Sequence, residues 1–226
     1  MEIYDLSLPL EENSTPVPGH PRVTFNSITT HEENGRLNTS ILTSLHTSTH
    51  VDSPYHFFEG RTTIDKLSLD KLVTRGSIID LRKYVSGPVG ITKEMLVNSS
   101  VDMELFNRAV ILFTGWCEKH YYDADFYDVH PYLTKEGAEW LVEKKIRAVC
   151  FDFPPDQPYI GAPVPGDAVI HETFLGNDIP HIENLVDIEP LLGKEFILIA
   201  APVKVKNGDG APSRVIAIVD TELPNW

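Results

Sequence analysis

The chain has 226 residues, 42% hydrophobic and 23% charged, with 33 acidic against 19 basic residues and a formal net charge of -14. This composition fits a globular chain with a substantial core rather than a disordered one, and its acidity argues against nucleic acid or an anionic membrane as a partner. Only Cys117 and Cys150 are present, with no Cys-x-x-Cys spacing, which excludes a disulfide framework and a thiolate zinc site as expectations.

Met1-Glu2-Ile3-Tyr4-Asp5 opens with acids rather than a basic and then apolar stretch, so no targeting segment is read and the cytoplasm is the expected compartment. Apolar runs such as residues 109–113 and 196–201 are too short to span a bilayer. Residues 3–8 read as a short strand, and Pro16-Val17-Pro18-Gly19-His20-Pro21 fixes an extended loop, either a rigid connector or the wall of a site. Residues 23–30 alternate as a strand. Asn34-Gly35 is a two-residue turn signal before residues 37–45, so the segment that follows is expected as the second arm of a hairpin.

That segment holds His46, His50, Asp52 and His56 within eleven residues. Imidazole and carboxylate are the side chains that bind divalent metals at neutral pH. The β-branched Thr43, Thr47, Thr49 and Val51, with Pro54 beyond them, predict a strand running into a turn. On such a strand His46, Ser48, His50 and Asp52 share one face, and the small Ser48 leaves room for an ion. His56 falls past the proline, near the ion but off the regular face. One histidine on a strand is most often a hydrogen-bonded residue of no special role. Two imidazoles and a carboxylate brought together without a cation, however, would bury polar groups at considerable cost.

Farther on, residues 62–70 read as a loop or turn and residues 77–81 as a strand. Thr92 caps a short helix, and the unbroken apolar run of residues 109–113 is a strand buried on both faces that delivers Thr114-Gly115-Trp116 to a loop. Thr134 caps a helix over residues 135–145, with Ala138, Leu141 and Val142 on one face, and residues 148–151 form another buried strand. Strand, helix and strand make a βαβ unit with parallel pairing, in which ligands favour the strand ends, here Asp152 and the stiff Pro154-Pro155-Asp156-Gln157-Pro158 loop. A second cluster follows at His171-Glu172 and His181-Ile182-Glu183, where His171 by itself reads first as a surface histidine and Glu183 as a helix or loop acid. Residues 196–201, 203–206 and 215–219 read as strands, with a turn at Asn207-Gly208-Asp209-Gly210. No repeat or linker interrupts residues 1–226, so one domain is expected.

The assembled residues resemble the metal-dependent cyclase family, which includes bacterial kynurenine formamidases and isatin hydrolases. Its signature, His-x-Gly-Thr-His-x-Asp-x-Pro-x-His, is matched by residues 46–56 except that Ser48 replaces the glycine. Asp5-Leu6-Ser7, Pro18-Gly19, Thr114-Gly115-Trp116, Glu183-Asn184-Leu185 and Asp209-Gly210 through Arg214 extend the resemblance over nearly the whole chain. It implies an α/β fold, a mixed β-sheet curled into a partial barrel with flanking helices (swivelling β/α/β-like), in a homodimer or larger homo-oligomer. By position it implies a first ion on His46, His50 and Asp52. A second would be bridged by Asp52 to His171 and Glu183, with His181 the rival ligand, and His56 would be the general acid/base. Pro155 stands where the formamidases carry a serine, a departure that bears on substrate. The remaining histidines, His20, His31, His120 and His130, lack partners at ligand spacing and read as structural or solvated.

The chemistry expected is that of one or two divalent ions, zinc or manganese, which lower the pKa of bound water toward ~7 and polarise a carbonyl. The leading expectation is hydrolysis of a small-molecule amide, formamide, cyclic amide or lactone. A cyclase or dehydratase acting on a carbonyl compound, and a non-catalytic metal- or ligand-binding protein, are the alternatives. A base at His56 separates the last from the others, because metal binding alone requires none.

Overall fold

The computed structural model describes residues 1–158 and 164–220. Its strands are β1 (Glu2–Asp5), β2 (Thr24–Thr29), β3 (Asn38–Leu42), β4 (His50–Asp52), β5 (Val73–Asp80), β6 (Gly90–Ile91), β7 (Ala109–Phe113), β8 (Tyr132–Leu133), β9 (Ala148–Phe151), β10 (His181–Glu183), β11 (Phe196–Pro202) and β12 (Gly210–Val219). The α-helices are α1 (His31–Asn34), α2 (Leu69–Leu72), α3 (Lys93–Ser99), α4 (Trp116–His120), α5 (Lys135–Glu143) and α6 (Val169–Gly176).

The main sheet runs β12-β11-β5-β7-β9-β10-β4, and β4 pairs back onto β12 to close the ring. The expected curled sheet is thus a closed barrel. Pairing is parallel from β5 through β7 and β9 to β10 and antiparallel elsewhere. Closure depends on the length of β12, whose first residues pair with β4 and whose last pair with β1.

Alternation along the ring strands sorts their side chains into two cores. Ile111, Phe113, Cys150, Ile182, Leu198 and Val215 fill the barrel interior. Val110, Leu112, Val149 and Phe151 point outward and are covered by Leu96 of α3, Ala138 and Leu141 of α5 and Phe174 of α6. Each Val, Leu, Ile or Phe among them, fully buried, stabilises the fold by about 1.5–3 kcal/mol. Thr92 and Thr134 cap α3 and α5 through their side chains, as their positions predict.

Three expectations need correction. Residues 23–30 do pair with the arm after Asn34-Gly35, but that arm does not carry residues 46–56 into the hairpin. Residues 31–34 are a helical turn closed by Gly35 at φ 67°, and β2 pairs with β3 in a separate ribbon, while β4 belongs to the barrel. Residues 203–206 are not a strand, because the chain leaves β11 at Pro202 and turns there through Val205 N–H to the Val203 carbonyl. The backbone of residues 43–49 is bent rather than extended, with Ser48 left-handed at φ 53°. Among the described residues no helix is long and apolar enough to cross a membrane.

Candidate functional site

The site is built where β4 meets β10. Their antiparallel register sets His50 opposite Glu183, Val51 opposite Ile182 and Asp52 opposite His181. Val51 and Ile182 belong to the barrel interior, so the period of two turns His50, Asp52, His181 and Glu183 to the outer face together. His46 joins them from the bend rather than from a strand face. It lies against Gly210 of β12, where a Cβ would stand 2.7 Å from His46 Cε1 and 2.9 Å from the Val51 carbonyl, so only glycine fits. His171 arrives from the first turn of α6.

Distances tie these groups into linked clusters. His46 Nδ1 lies 2.6 Å from Asp52 Oδ1, and His50 Nε2 lies 3.3 Å from the same oxygen. His171 Nε2 lies 3.5 Å from Asp52 Oδ2 and 3.0 Å from Glu183 Oε1. Ligand atoms of His46, His50 and Asp52 fall within 4.8 Å of one another, as do those of Asp52, His171, His181 and Glu183. Asp52 is common to both groups. A third grouping, His46, His56 and Asp209, meets the same limit. His46 Nε2 is 2.8 Å and His56 Nδ1 3.6 Å from Asp209 Oδ2, and the His56 ring stacks on His46 at 3.9 Å between centroids.

Supporting contacts fix how the rings face. His50 Nδ1 donates to the Ser48 carbonyl at 2.9 Å, which turns Nε2 toward Asp52. Asn184 Nδ2 donates to that same carbonyl, also at 2.9 Å. Asp156 Oδ2 accepts from His171 Nδ1 at 2.5 Å while Asp156 Oδ1 accepts the Ile170 N–H at 2.7 Å. One carboxylate therefore both caps α6 and turns His171 Nε2 inward.

Electrostatics test whether these residues fit a metal. Burial alone would lower the His46 pKa, yet Asp52 and Asp209 outweigh it and raise it to about 10. Against the same burial, Asp52 raises His50, and Glu183 and Asp156 raise His171. Burial pushes the Asp52 carboxyl up, but His46 and His50 hold it well below the carboxylate range, and His171 does the same for Glu183. A site that needs several imidazolium protons to balance its carboxylates is one in which a divalent cation can replace those protons. Asp52 Oδ2 is moreover buried without a hydrogen-bond partner, as is His181 Nε2. The donor set and the orphaned Asp52 oxygen both fit a divalent ion.

All six side chains predicted from sequence meet around a cavity of about 640 Å³, which His46, His50, Asp52, His56, His171 and Glu183 line. His181 reaches the same carboxylates but is fully buried beneath the cavity wall, with Nδ1 3.2 Å from Glu183 Oε1. Asp152, at the end of β9, does not face the cavity. It accepts from the Thr114 and Gly115 N–H groups and the Thr114 hydroxyl, tying two loops, and burial pushes its carboxyl up to about 7. Of the histidines read as bystanders, His31 and His120 stay outside, but His20 and His130 line the cavity. Asp156 and Asp209 were not legible as site residues. Their signals were the stiff proline loop and the Asp-Gly turn, neither of which names a partner.

The family model described as "Putative cyclase" matches residues 4–155. A kynurenine formamidase of Bacillus cereus (strain ZK / E33L) is 31% identical over 217 residues, covering 95% of this chain and 96% of that protein. A kynurenine formamidase of Bacillus thuringiensis (strain Al Hakam) is 30% identical over 217 residues with the same coverage. Among solved structures, an isatin hydrolase bound to the product analogue thioisatinate superposes with a TM-score of 0.86 at 22% identity, covering 97% of this chain and 93% of that one. Isatin hydrolase A from Labrenzia aggregata gives 0.84 at 24% identity, with coverage of 96% and 93%. These last two share the fold. With a family model over more than half its length and relatives of 30% identity or above along nearly all of it, the chain belongs to the cyclase family.

Proposed function

We propose that this chain is a metal-dependent hydrolase that cleaves the carbon–nitrogen bond of a small formamide or cyclic amide. The observation that carries this reading is the shared carboxylate: Asp52 presents Oδ1 to His46 and His50 and Oδ2 to His171, in a cavity open to a small molecule. His46, His50 and Asp52 would hold one divalent ion, and Asp52, His171 and Glu183 a second. Nitrogen and oxygen donors of this kind accept zinc or manganese. When bound, the ions supply Lewis-acid chemistry, acidifying water and polarising the carbonyl oxygen.

The chain's own residues do the rest. The Ser48 carbonyl and Asp156 keep His50 Nε2 and His171 Nε2 turned inward. His56, half-buried and lining the cavity, would take the proton of the attacking water and return it to the leaving nitrogen, while Asp209 faces its Nδ1. Water's oxygen bonds to the carbonyl carbon, the C–N bond breaks, and the nitrogen leaves protonated. The kynurenine formamidase relatives favour the formamide form of this reading.

Asp52→Ala tests it. The variant is expected to lose both bound metal and arylformamide hydrolysis while retaining the parental far-UV circular dichroism. Full metal content in the folded variant would overturn the ligand assignment.

A further inference from the structure

The cavity's lining carries a bias of charge that the hydrolase reading does not require. Its walls are apolar, made by Val17, Pro18, Phe57, Pro154, Pro155 and Val164. Every ionisable side chain that lines it among the described residues is a carboxylic acid, a histidine or a tyrosine, and no lysine or arginine is present. Residues 159–163 lie outside the described residues and contain no basic side chain by sequence. His130, which belongs to none of the three groupings, donates Nδ1 to the Pro131 carbonyl at 2.8 Å, and burial lowers its pKa, disfavouring its cationic form.

Two divalent ions would balance Asp52, Asp156, Glu183 and Asp209. Asp128 and Asp167, which line the cavity with no lysine or arginine among its described lining residues, then remain as net negative charge, Asp167 Oδ2 accepting the Val164 N–H at 2.7 Å. A substrate carboxylate would find no cation to pair with and two acids to repel it, whereas a neutral aromatic ring would meet a rigid apolar wall.

Building on the hydrolase reading above, we propose that the site selects neutral aryl amides and discriminates against those that carry a free carboxylate. The selecting groups are Asp128 and Asp167, with the proline-rich wall supplying contact to the ring. They act on binding of the anion and touch no reacting atom.

A matched pair of substrates tests this, 4-formamidobenzamide and 4-formamidobenzoate, which have the same shape and differ in charge. With the zinc- or manganese-loaded protein, kcat/KM is expected to favour the neutral member by about tenfold or more, the scale of like-charge repulsion across several ångströms at an effective dielectric of ~20. Asp128→Lys is expected to narrow that ratio at least about threefold on the same scale. On the parent, the ratio is expected to fall as salt is raised, because screening weakens repulsion. Equal or faster cleavage of the benzoate overturns the charge selection and leaves the hydrolase reading standing. A ratio that neither salt nor Asp128→Lys moves overturns it as well, by assigning the preference to shape. If the loaded protein cleaves neither formamide, the formamide form of the hydrolase reading falls and takes the substrate class proposed here with it.

Discussion

His56 and Asp52 differ in what their removal should do, although they sit in the same cavity. Asp52 is fully buried and its two oxygens face different imidazoles, so its loss removes a donor from both clusters. The His56 side chain keeps 26% of its exposure, stacks on His46, and has Asp209 Oδ2 at 3.6 Å from its Nδ1. Its removal is expected to leave the carboxylate pair intact. His56→Ala is therefore predicted to lower kcat by about 10²–10⁴-fold, the usual range for a general acid/base, with metal content and thermal midpoint near parental. Turnover, metal stoichiometry and midpoint measured on one sample decide the matter: metal and activity lost together would make His56 a ligand, and parental turnover would remove it from the mechanism. The third grouping, with His46 and Asp209, makes that comparison a real test.

At the scale of elements, the bend at residues 43–49 is where sequence and structure part. Hydrophobic runs made β7 and β9 legible to the residue, and side-chain caps made the starts of α3 and α5 legible. The ligand stretch reads as a strand by its β-branched residues, yet Ser48 adopts φ 53°, a conformation serine rarely takes and composition does not announce. Its hydroxyl explains how the bend is held. Ser48 Oγ donates to the Pro9 carbonyl at 3.1 Å, accepts from Tyr121 Oη at 3.2 Å, and lies 2.9 Å from Ser14 Oγ. Ser48→Ala keeps the backbone strain and strips these bonds, so it is predicted to destabilise by about 1–3 kcal/mol. Ser48→Gly strips the same bonds but relieves the strain, and should be the more stable of the two by about 1 kcal/mol. Urea denaturation of both variants measures the order, and an alanine variant as stable as the glycine one would contradict this account of the bend. The pairing of β4 with β10 was equally hidden, since nothing local records that Glu183 lies opposite His50. The family resemblance supplied that juxtaposition, and spacing alone did not.

For the molecule as a whole, metal binding and folding are linked through protons. In the metal-free protein Asp52 and Asp209 raise the His46 pKa from its ordinary 6.5 to about 10 in the fold. A raised histidine stabilises the fold fully below its unfolded pKa and loses that contribution as pH rises through the folded one. The chelated protein is accordingly predicted to lose stability between pH 6.5 and about 10 from this group. Metal binding has the opposite sign: the ion displaces the same proton, so its affinity, and the rise in thermal midpoint it produces, grow with pH across that window. A midpoint gain that stays flat or shrinks with pH would contradict the coupling. The central claim, that hydrolysis depends on divalent ions held around Asp52, is tested most directly by titrating zinc or manganese into chelated protein while following arylformamide cleavage. Activity is predicted to vanish on chelation and to return in step with binding, levelling off at two ions per chain. Undiminished cleavage by protein stripped of metal would contradict it.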